Sequence, residues 1–323
     1  MSRDRKVYIG IDVGGTKILA ASIQSDGRIL TRDKQSTPAG ASALEVSRTI
    51  CDVAETVMRE TKGPIAGIGL GIPGLVAPNF RDILVTPNVN LGRYPLARDI
   101  HDRFHVPVFL ANDVNCGLMG EQWLGAARQI QHVIGIFPGT GVGGAIIING
   151  HLYSGAQGAA AEIGHTIIDF NSPIRHAGVS GSLEALASRQ AIERRIREGI
   201  ESGRKTIVTD ILGDDLGRVK SKVIAKALRK KDPLVTEIIE DVCQILGQAC
   251  ISFRHFLNPE MILFGGGLIE GCGAFMLPRI QAISAADPFF KGIDDCKIVK
   301  SQLEDDAVIL GAVKLVLDRD PEE

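Results

Sequence analysis

Short apolar runs along the chain are broken by glycines and tight-turn signals. Residues 7–11 (VYIGI) are apolar, glycines follow at 14 and 15, and ILAASI resumes the run at 18–23. Asp26-Gly27 comes next, a two-residue hairpin signal, and then RIL. The predicted order is strand, glycine turn, strand, tight turn, strand. Residues 132–153 repeat it: an apolar run from Val133 to Phe137, glycines at 139, 141, 143 and 144, the run AIII, then Asn149-Gly150. Two copies of one pattern at long spacing predict two related halves.

Between the copies, Ser42 and Glu45 form a capping box, and Val46, Ile50, Val53 and Val57 keep helical spacing behind it. IAGIGLGIPG (65–74) reads as a buried strand ending in a turn, and VPVFLAND (106–113) as a strand carrying Asn112 and Asp113 at its C-terminal end. VNCGLMGEQWLGAA then reads as a helix leading toward the second half. In that half, Val235, Ile238, Ile239, Val242, Ile245, Leu246, Ala249, Phe253 and Phe256 trace one helical face that Asn258-Pro259 stops. MILFGGG (261–267) is a strand running into three glycines, and a last helix spans about 305–317 with Val308, Val313 and Val316 on its apolar side. The basic stretch KALRKKD (226–232) reads as a solvated helix face.

The bulk numbers narrow the class. The 323 residues allow about two domains, and 45 % apolar with 23 % charged residues is ordinary for a soluble globular enzyme. A net charge of −2 offers no general attraction to nucleic acid or an anionic membrane. The six cysteines are scattered without a C-x-x-C pair, which points to a reduced, cytoplasmic protein with inert buried thiols. MSRDRK leads straight into the first strand, with no apolar segment long enough for a signal peptide or a membrane span.

The candidate chemistry begins with a near-match. Gly10, Gly15, Thr16 and Lys17 spell G-x-x-x-x-G-T-K, one exchange from a P-loop. A P-loop needs a helix after its glycines, and here a strand follows. The second copy satisfies G-x-G-x-x-G at Gly139, Gly141 and Gly144 but again precedes a strand. The clusters at 14–15, 139–144 and 265–267 each end a predicted strand, where open sheets bind ligands and bare amides form anion-holding concavities. Gly14, Gly15, Thr16 and Lys17, with Gly139, Thr140, Gly141, Gly265 and Gly266, are therefore candidates for phosphate. The plain alternative is that the glycines only permit tight turns. Asp12 is either a turn former or a water-mediated Mg²⁺ ligand. Asp113 is either an N-cap or a general base toward a hydroxyl, which is most of what phosphoryl transfer asks beyond positioning and charge neutralisation. Glu162 and His165 are three apart and suited to vicinal hydroxyls, although a lone histidine is commonly structural.

Together these pieces resemble the ROK family of bacterial sugar kinases and repressors over nearly the whole chain. DVGGTK (12–17) and GTGVGG (139–144) look like its two phosphate motifs, and LAND (110–113) like its catalytic loop. GAAAEIGH (158–165) resembles its signature, and LFGGG (263–267) its adenosine motif. The resemblance implies a duplicated actin-like, ribonuclease H-like α/β fold with a cleft between two domains. One domain would run over 1–118 with the C-terminal helix of about 305–323 packed back on it, the other over 119–304. It implies ATP and Mg²⁺, and a hexose held by Asn112, Asp113, Glu162, His165 and Glu184. Asp113 would be the base toward the 6-hydroxyl of glucose. A homo-oligomer, dimer or tetramer, is expected, and the charge balance argues against nucleic acid or membrane as partner.

One departure is large. The family usually continues past the histidine with C-x-C-G-x-x-G-C-x-E, whose three cysteines bind structural zinc with that histidine. Here the positions carry Arg175, Ala177 and Ser182, so no zinc is expected and the 166–182 loop must be held by packing and hydrogen bonds. The altered loop leads to Glu184, which leaves fructose, N-acetylmannosamine or N-acetylglucosamine as alternative substrates and polyphosphate as an alternative donor. A non-catalytic sugar-sensing repressor is the other class. Repressors of the family carry a DNA-binding segment before the first glycine motif, and here that motif begins by residue 12.

Overall fold

The computed structural model describes residues 6–213, 219–292 and 296–319. The expectations for residues 1–5 and for the end of the last helix at 320–323 lie outside the described residues. The chain forms two compact units, one of residues 1–130, 146–160 and 305–323, the other of residues 131–145 and 161–304.

The first unit is built on a sheet of β1 (Val7–Val13), β2 (Lys17–Gln24), β3 (Ile29–Ser36), β4 (Ile65–Ile72) and, after the small β5 (Leu75–Val76) and β6 (Ile83–Val85) ribbon, β7 (Val108–Asn112). The strand order is β3-β2-β1-β4-β7, antiparallel on the hairpin side and parallel from β1 to β7. The predicted turn sits at Asp26-Gly27, with Gly27 at φ 88°. Helix α1 (Ala43–Glu60) has both hydrogen bonds of its capping box. It packs on one face, with Val46, Ile50, Val53 and Val57 fully or almost fully buried against the strand residues Ile9, Ile11 and Ile18. Each such side chain contributes about 1.5–3 kcal/mol by leaving water. Helix α2 (Leu96–Phe104) precedes β7, and α3 (Asp113–Leu124) follows it.

The other face takes the last helix of the chain, α10 (Ala307–Leu317), and glycines decide how closely it approaches. A Cβ on Gly10 of β1 would lie 2.2 Å from the Ile309 carbonyl oxygen, and one on Gly69 of β4 only 1.9 Å from that of Ala312. The same holds against α3, where Gly311 would meet the Cys116 carbonyl at 1.7 Å. These contacts are backbone on backbone, so no side chain can move aside. Almost the whole circumference of α10 is buried, beyond the valine stripe expected from sequence.

The second sheet has the order β10-β9-β8-β13-β14, formed by β8 (Val133–Pro138), β9 (Val142–Ile148), β10 (His151–Leu152), β13 (Met261–Phe264) and β14 (Lys297–Lys300). Three sequential strands followed by two parallel ones reproduce the first sheet, as the repeat predicted. Asn149 and Gly150, at φ 52° and 77°, make the turn between β9 and β10. The small hairpin β11 (Arg175–His176) and β12 (Val179–Ser180) precedes α4 (Leu183–Ala187) and α5 (Arg189–Glu201). Helices α6 (Ile207–Leu212), α7 (Ser221–Arg229), α8 (Pro233–Leu257) and α9 (Gly267–Ala285) complete the unit. Lys226, Arg229, Lys230 and Lys231 are exposed, as the basic stretch suggested, but Asp232 is buried and caps α8.

One assignment on α8 is corrected. Phe256 is 85 % exposed rather than on the core face. Toward its end the inner stripe of the helix runs through Leu246, Cys250 and Arg254, and Arg254 donates to the Ser284 carbonyl at 2.5 Å. A helix of 25 residues drifts past a fixed apolar spacing, and its last turn presents a different edge. No helix among the described residues is long and apolar enough to cross a membrane.

Candidate functional site

In the first unit, the strand ends gather the carboxylates. The glycine turn after β1 is closed by the Gly14 amide donating to the Lys17 carbonyl at 2.9 Å. Thr37, just past β3, braces it: its hydroxyl donates to the Gly14 carbonyl at 2.6 Å and its amide to that of Thr16 at 3.1 Å. Gly14 thus closes the turn, while Gly15 and Thr16 stand exposed at its tip. Gly10, first letter of the P-loop near-match, lies inside β1 against α10 and has no part in the turn.

Asp12 sits one residue before the end of β1. Its carboxyl is raised from 3.8 to about 7, first by burial, next by the charge of Asp113, against the pull of Lys17 and with a further push from Asp305. Lys17 Nζ is 3.4 Å from Asp305 Oδ2, an exposed pair of little energetic weight. At the start of α3 the expected N-cap role of Asp113 belongs to Asn112, whose Oδ1 accepts from the amides of Val114 at 2.8 Å and Asn115 at 3.2 Å. The Asn112 Nδ2 donates to the Gly74 carbonyl at 3.0 Å, which fixes the amide from both ends. Asp113 is the first helical residue, its Oδ1 accepting from the Val114 amide at 2.9 Å. The tip glycine Gly15 also lines a cavity of about 530 Å³ with Thr37, Ala39, Thr86, Asn88 and Asn90. No motif read from the sequence marked that cavity.

In the second unit, the turn between β8 and β9 is closed by the Gly139 amide donating to the Gly141 carbonyl at 2.8 Å. Arg189, at the start of α5, pins it twice: its amide donates to the Gly139 carbonyl at 2.9 Å and its Nη2 to the Thr140 hydroxyl at 3.1 Å. This places a guanidinium beside the turn that sequence reading missed, because no local pattern links residues 49 apart. Glu184 of α4 reaches the same turn. Its Oε2 accepts from the Val142 amide at 2.6 Å, and a Cβ on Gly141 would lie 2.0 Å from that oxygen. Gly144 and Gly164 are glycines for a related reason: a Cβ would meet the Ala161 carbonyl at 2.5 Å and the Val142 carbonyl at 2.3 Å.

The 3₁₀ turn Ile163–His165 follows Glu162 directly. The Glu162 carboxyl is raised by burial, with His165 pulling it down and Glu184 pushing it up. Glu162, His165 and Glu184 thus share one electrostatic neighbourhood. After β13, Gly265 is required by the Phe137 ring 2.7 Å from its would-be Cβ, and Gly266, at φ 79°, caps α9. The third glycine cluster leads into a helix, unlike the other two.

The ROK family model matches residues 8–319. The chain belongs to the ROK family. It is 32 % identical over 314 residues to a glucokinase of Thermotoga maritima, covering 96 % of this chain and 97 % of that one. It is 29 % identical to a putative xylose repressor of a Caldicellulosiruptor species, covering 96 % of this chain and 78 % of the repressor. The solved ROK glucokinase of Streptomyces griseus, in complex with glucose and AMPPNP, superposes with a TM-score of 0.80 at 25 % identity, over 96 % of this chain and 98 % of that one. The two sheets of like order are accordingly those of the actin-like, ribonuclease H-like kinases.

Proposed function

We propose that this ROK protein is a sugar kinase that transfers the γ-phosphoryl group of ATP to a hexose, glucose to glucose 6-phosphate. The observation that carries the reading is at the end of β7: Asn112 is the helix cap, and Asp113, the first residue of α3, lies close enough to Asp12 for its charge to raise that carboxyl. The similarity to glucokinases supports the same conclusion.

Asp113 is the general base. It takes the proton of the 6-hydroxyl as the sugar oxygen bonds to the γ-phosphorus and the bond from that phosphorus to the ADP oxygen breaks. Asn112, Glu162, His165 and Glu184 orient the sugar through its hydroxyls. The turn tips at Gly15–Thr16 and Thr140–Gly141, with Lys17, neutralise the phosphates, and Gly265 and Gly266 take the nucleoside side. Asp12 fits Mg²⁺: a crowded carboxylate, raised by burial and two like charges, offers the hard oxygen and excess negative field that a hard dication relieves. When bound, Mg²⁺ neutralises charge developing between the β- and γ-phosphates. Zinc does not fit, because Arg175, Ala177 and Ser182 supply no soft donors, and no step passes through it. The thiol usage fits a reducing cytoplasm.

The test is a coupled assay of glucose, fructose, N-acetylmannosamine and N-acetylglucosamine, each with ATP or polyphosphate and Mg²⁺. Glucose with ATP is expected to give the highest kcat/KM, and Asp113→Asn to lose about 10²–10⁴-fold in kcat. Turnover of no sugar would refute the kinase. It would favour the second reading, a sugar-sensing repressor, which the xylose-repressor relatives keep in view.

A further inference from the structure

The loop from 166 to 182 carries Arg175, Ala177 and Ser182 where the family pattern has cysteines, and main-chain hydrogen bonds close it. The Ile168 and Asp169 amides both donate to the Gly181 carbonyl, at 2.8 and 3.1 Å. The Gly181 amide donates to Ile174 at 2.8 Å and the Leu183 amide to Thr166 at 2.9 Å. Gly181, at φ 63°, is the only residue type that fits, since a Cβ would lie 1.7 Å from the Asp169 carbonyl oxygen. Ser182, in a family cysteine position, caps α4 through its hydroxyl. These bonds form a backbone clasp around the loop.

The clasp carries a side chain into the site. Within it, Ala177 and Gly178, at φ 46° and 83°, form the two-residue turn of the β11–β12 hairpin. His176, the residue before that turn, points its Nε2 at Glu184 Oε1, 2.7 Å away. The other oxygen of Glu184 takes the Val142 amide. The carboxylate is therefore held from two directions, by the hairpin and by the glycine turn, in a seat that exists because residue 141 has no side chain. A free glutamate on a five-residue helix would sample several rotamers. This one is restricted to a single orientation.

We infer that His176 is a positioning residue for Glu184, holding its carboxylate through a hydrogen bond from the β11–β12 hairpin. His176 does not touch the reacting atoms. It fixes the carboxylate that receives the sugar, so its effect falls on acceptor binding rather than on phosphoryl transfer. The inference rests on the sugar-kinase reading for its kinetic consequence, but the clasp itself is read independently at Val142. Glutamine is the conservative substitute, because its Nε2 matches the reach and donor character of the imidazole Nε2.

The experiment compares wild type, His176→Ala and His176→Gln by amide NMR and by steady-state kinetics with glucose, ATP and Mg²⁺. His176→Ala is expected to move the Val142 amide resonance and lower its protection from hydrogen exchange. It should raise KM for the sugar at least tenfold, leaving kcat and KM for ATP within about twofold. His176→Gln should restore most of both. A Val142 amide unchanged in His176→Ala overturns the positioning role whatever the sugar. A general loss of amide dispersion in both variants also overturns it, since His176 would then hold the fold and not one carboxylate. A Val142 shift with rescue by glutamine but no change in sugar KM upholds the clasp and instead removes Glu184 from the sugar contacts of the kinase reading.

Discussion

Asp12→Asn tests the electrostatics of the first unit directly. The carboxyl is raised from 3.8 to about 7, a gap of about 3 units, and each unit is worth about 1.36 kcal/mol, so the ionised carboxylate destabilises the native state by about 4 kcal/mol. The sign follows from proton counting. Between roughly pH 4 and pH 7 the native state keeps a proton that the unfolded chain has released. Stability therefore falls as pH rises through that window and levels off above it. Asparagine removes the titration with little change in shape. The stability difference between variant and wild type should be flat below about pH 4, rise across the window, and reach about 4 kcal/mol in favour of asparagine by pH 8. The single tryptophan, Trp123, lies on α3 in the same unit and serves as the fluorescent probe. Urea titrations followed by its fluorescence from pH 4 to pH 8.5 give the curve. A difference that does not change with pH, or an asparagine variant that loses stability toward pH 8, refutes the reasoning. In an Asp113→Asn background the rise should end at lower pH and be smaller, because Asp113 is the second-largest cause of the raised value.

Two further outcomes follow from packing and from burial. Gly69→Ala puts a methyl group 1.9 Å from a backbone oxygen of α10, and should cost about 1–3 kcal/mol or more in the same fluorescence-monitored titration; an unchanged midpoint would show that α10 does not pack as described. Five of the six cysteines are buried, and burial pushes the thiols of Cys51 and Cys272 up to about 11 and that of Cys243 to about 12, with Cys116 and Cys250 also raised. Ellman's reagent should find one fast thiol, Cys296, in the native protein and six after denaturation; several fast thiols in the native state would contradict the burial.

What the sequence made legible were features whose cause is local. The hairpin turns at Asp26-Gly27 and Asn149-Gly150 and the capping box of α1 depend on residues a few positions apart. So did rejection of the P-loop, which needed only the strand after Lys17. The roles of individual glycines were not legible. Gly10, Gly141 and Gly144 belong to motifs that look like ligand loops, yet each is small because something distant occupies the space: an α10 carbonyl, the Glu184 carboxylate, the Ala161 carbonyl. The exchange of duties between Asn112 and Asp113 was hidden too, because either residue type caps a helix and only the dihedral angles decide which does. His176 and Arg189 act through partners 8 and 49 positions away, beyond any spacing rule.

The glycine-lined seat of α10 also bears on how the protein is made. The face of the first sheet that this helix covers is complete only when residues 307–317 arrive, although β7 has emerged by residue 112. At about 5–20 residues per second, the nascent chain spends roughly ten to forty seconds with that apolar face open. During that interval the second unit, which ends at residue 304, has already been synthesised in full. The order of synthesis is thus the reverse of the order in which the two units are finished, and a ribosome that stalls before residue 307 leaves the first-made half of the protein as the exposed one, a substrate for chaperones or proteases.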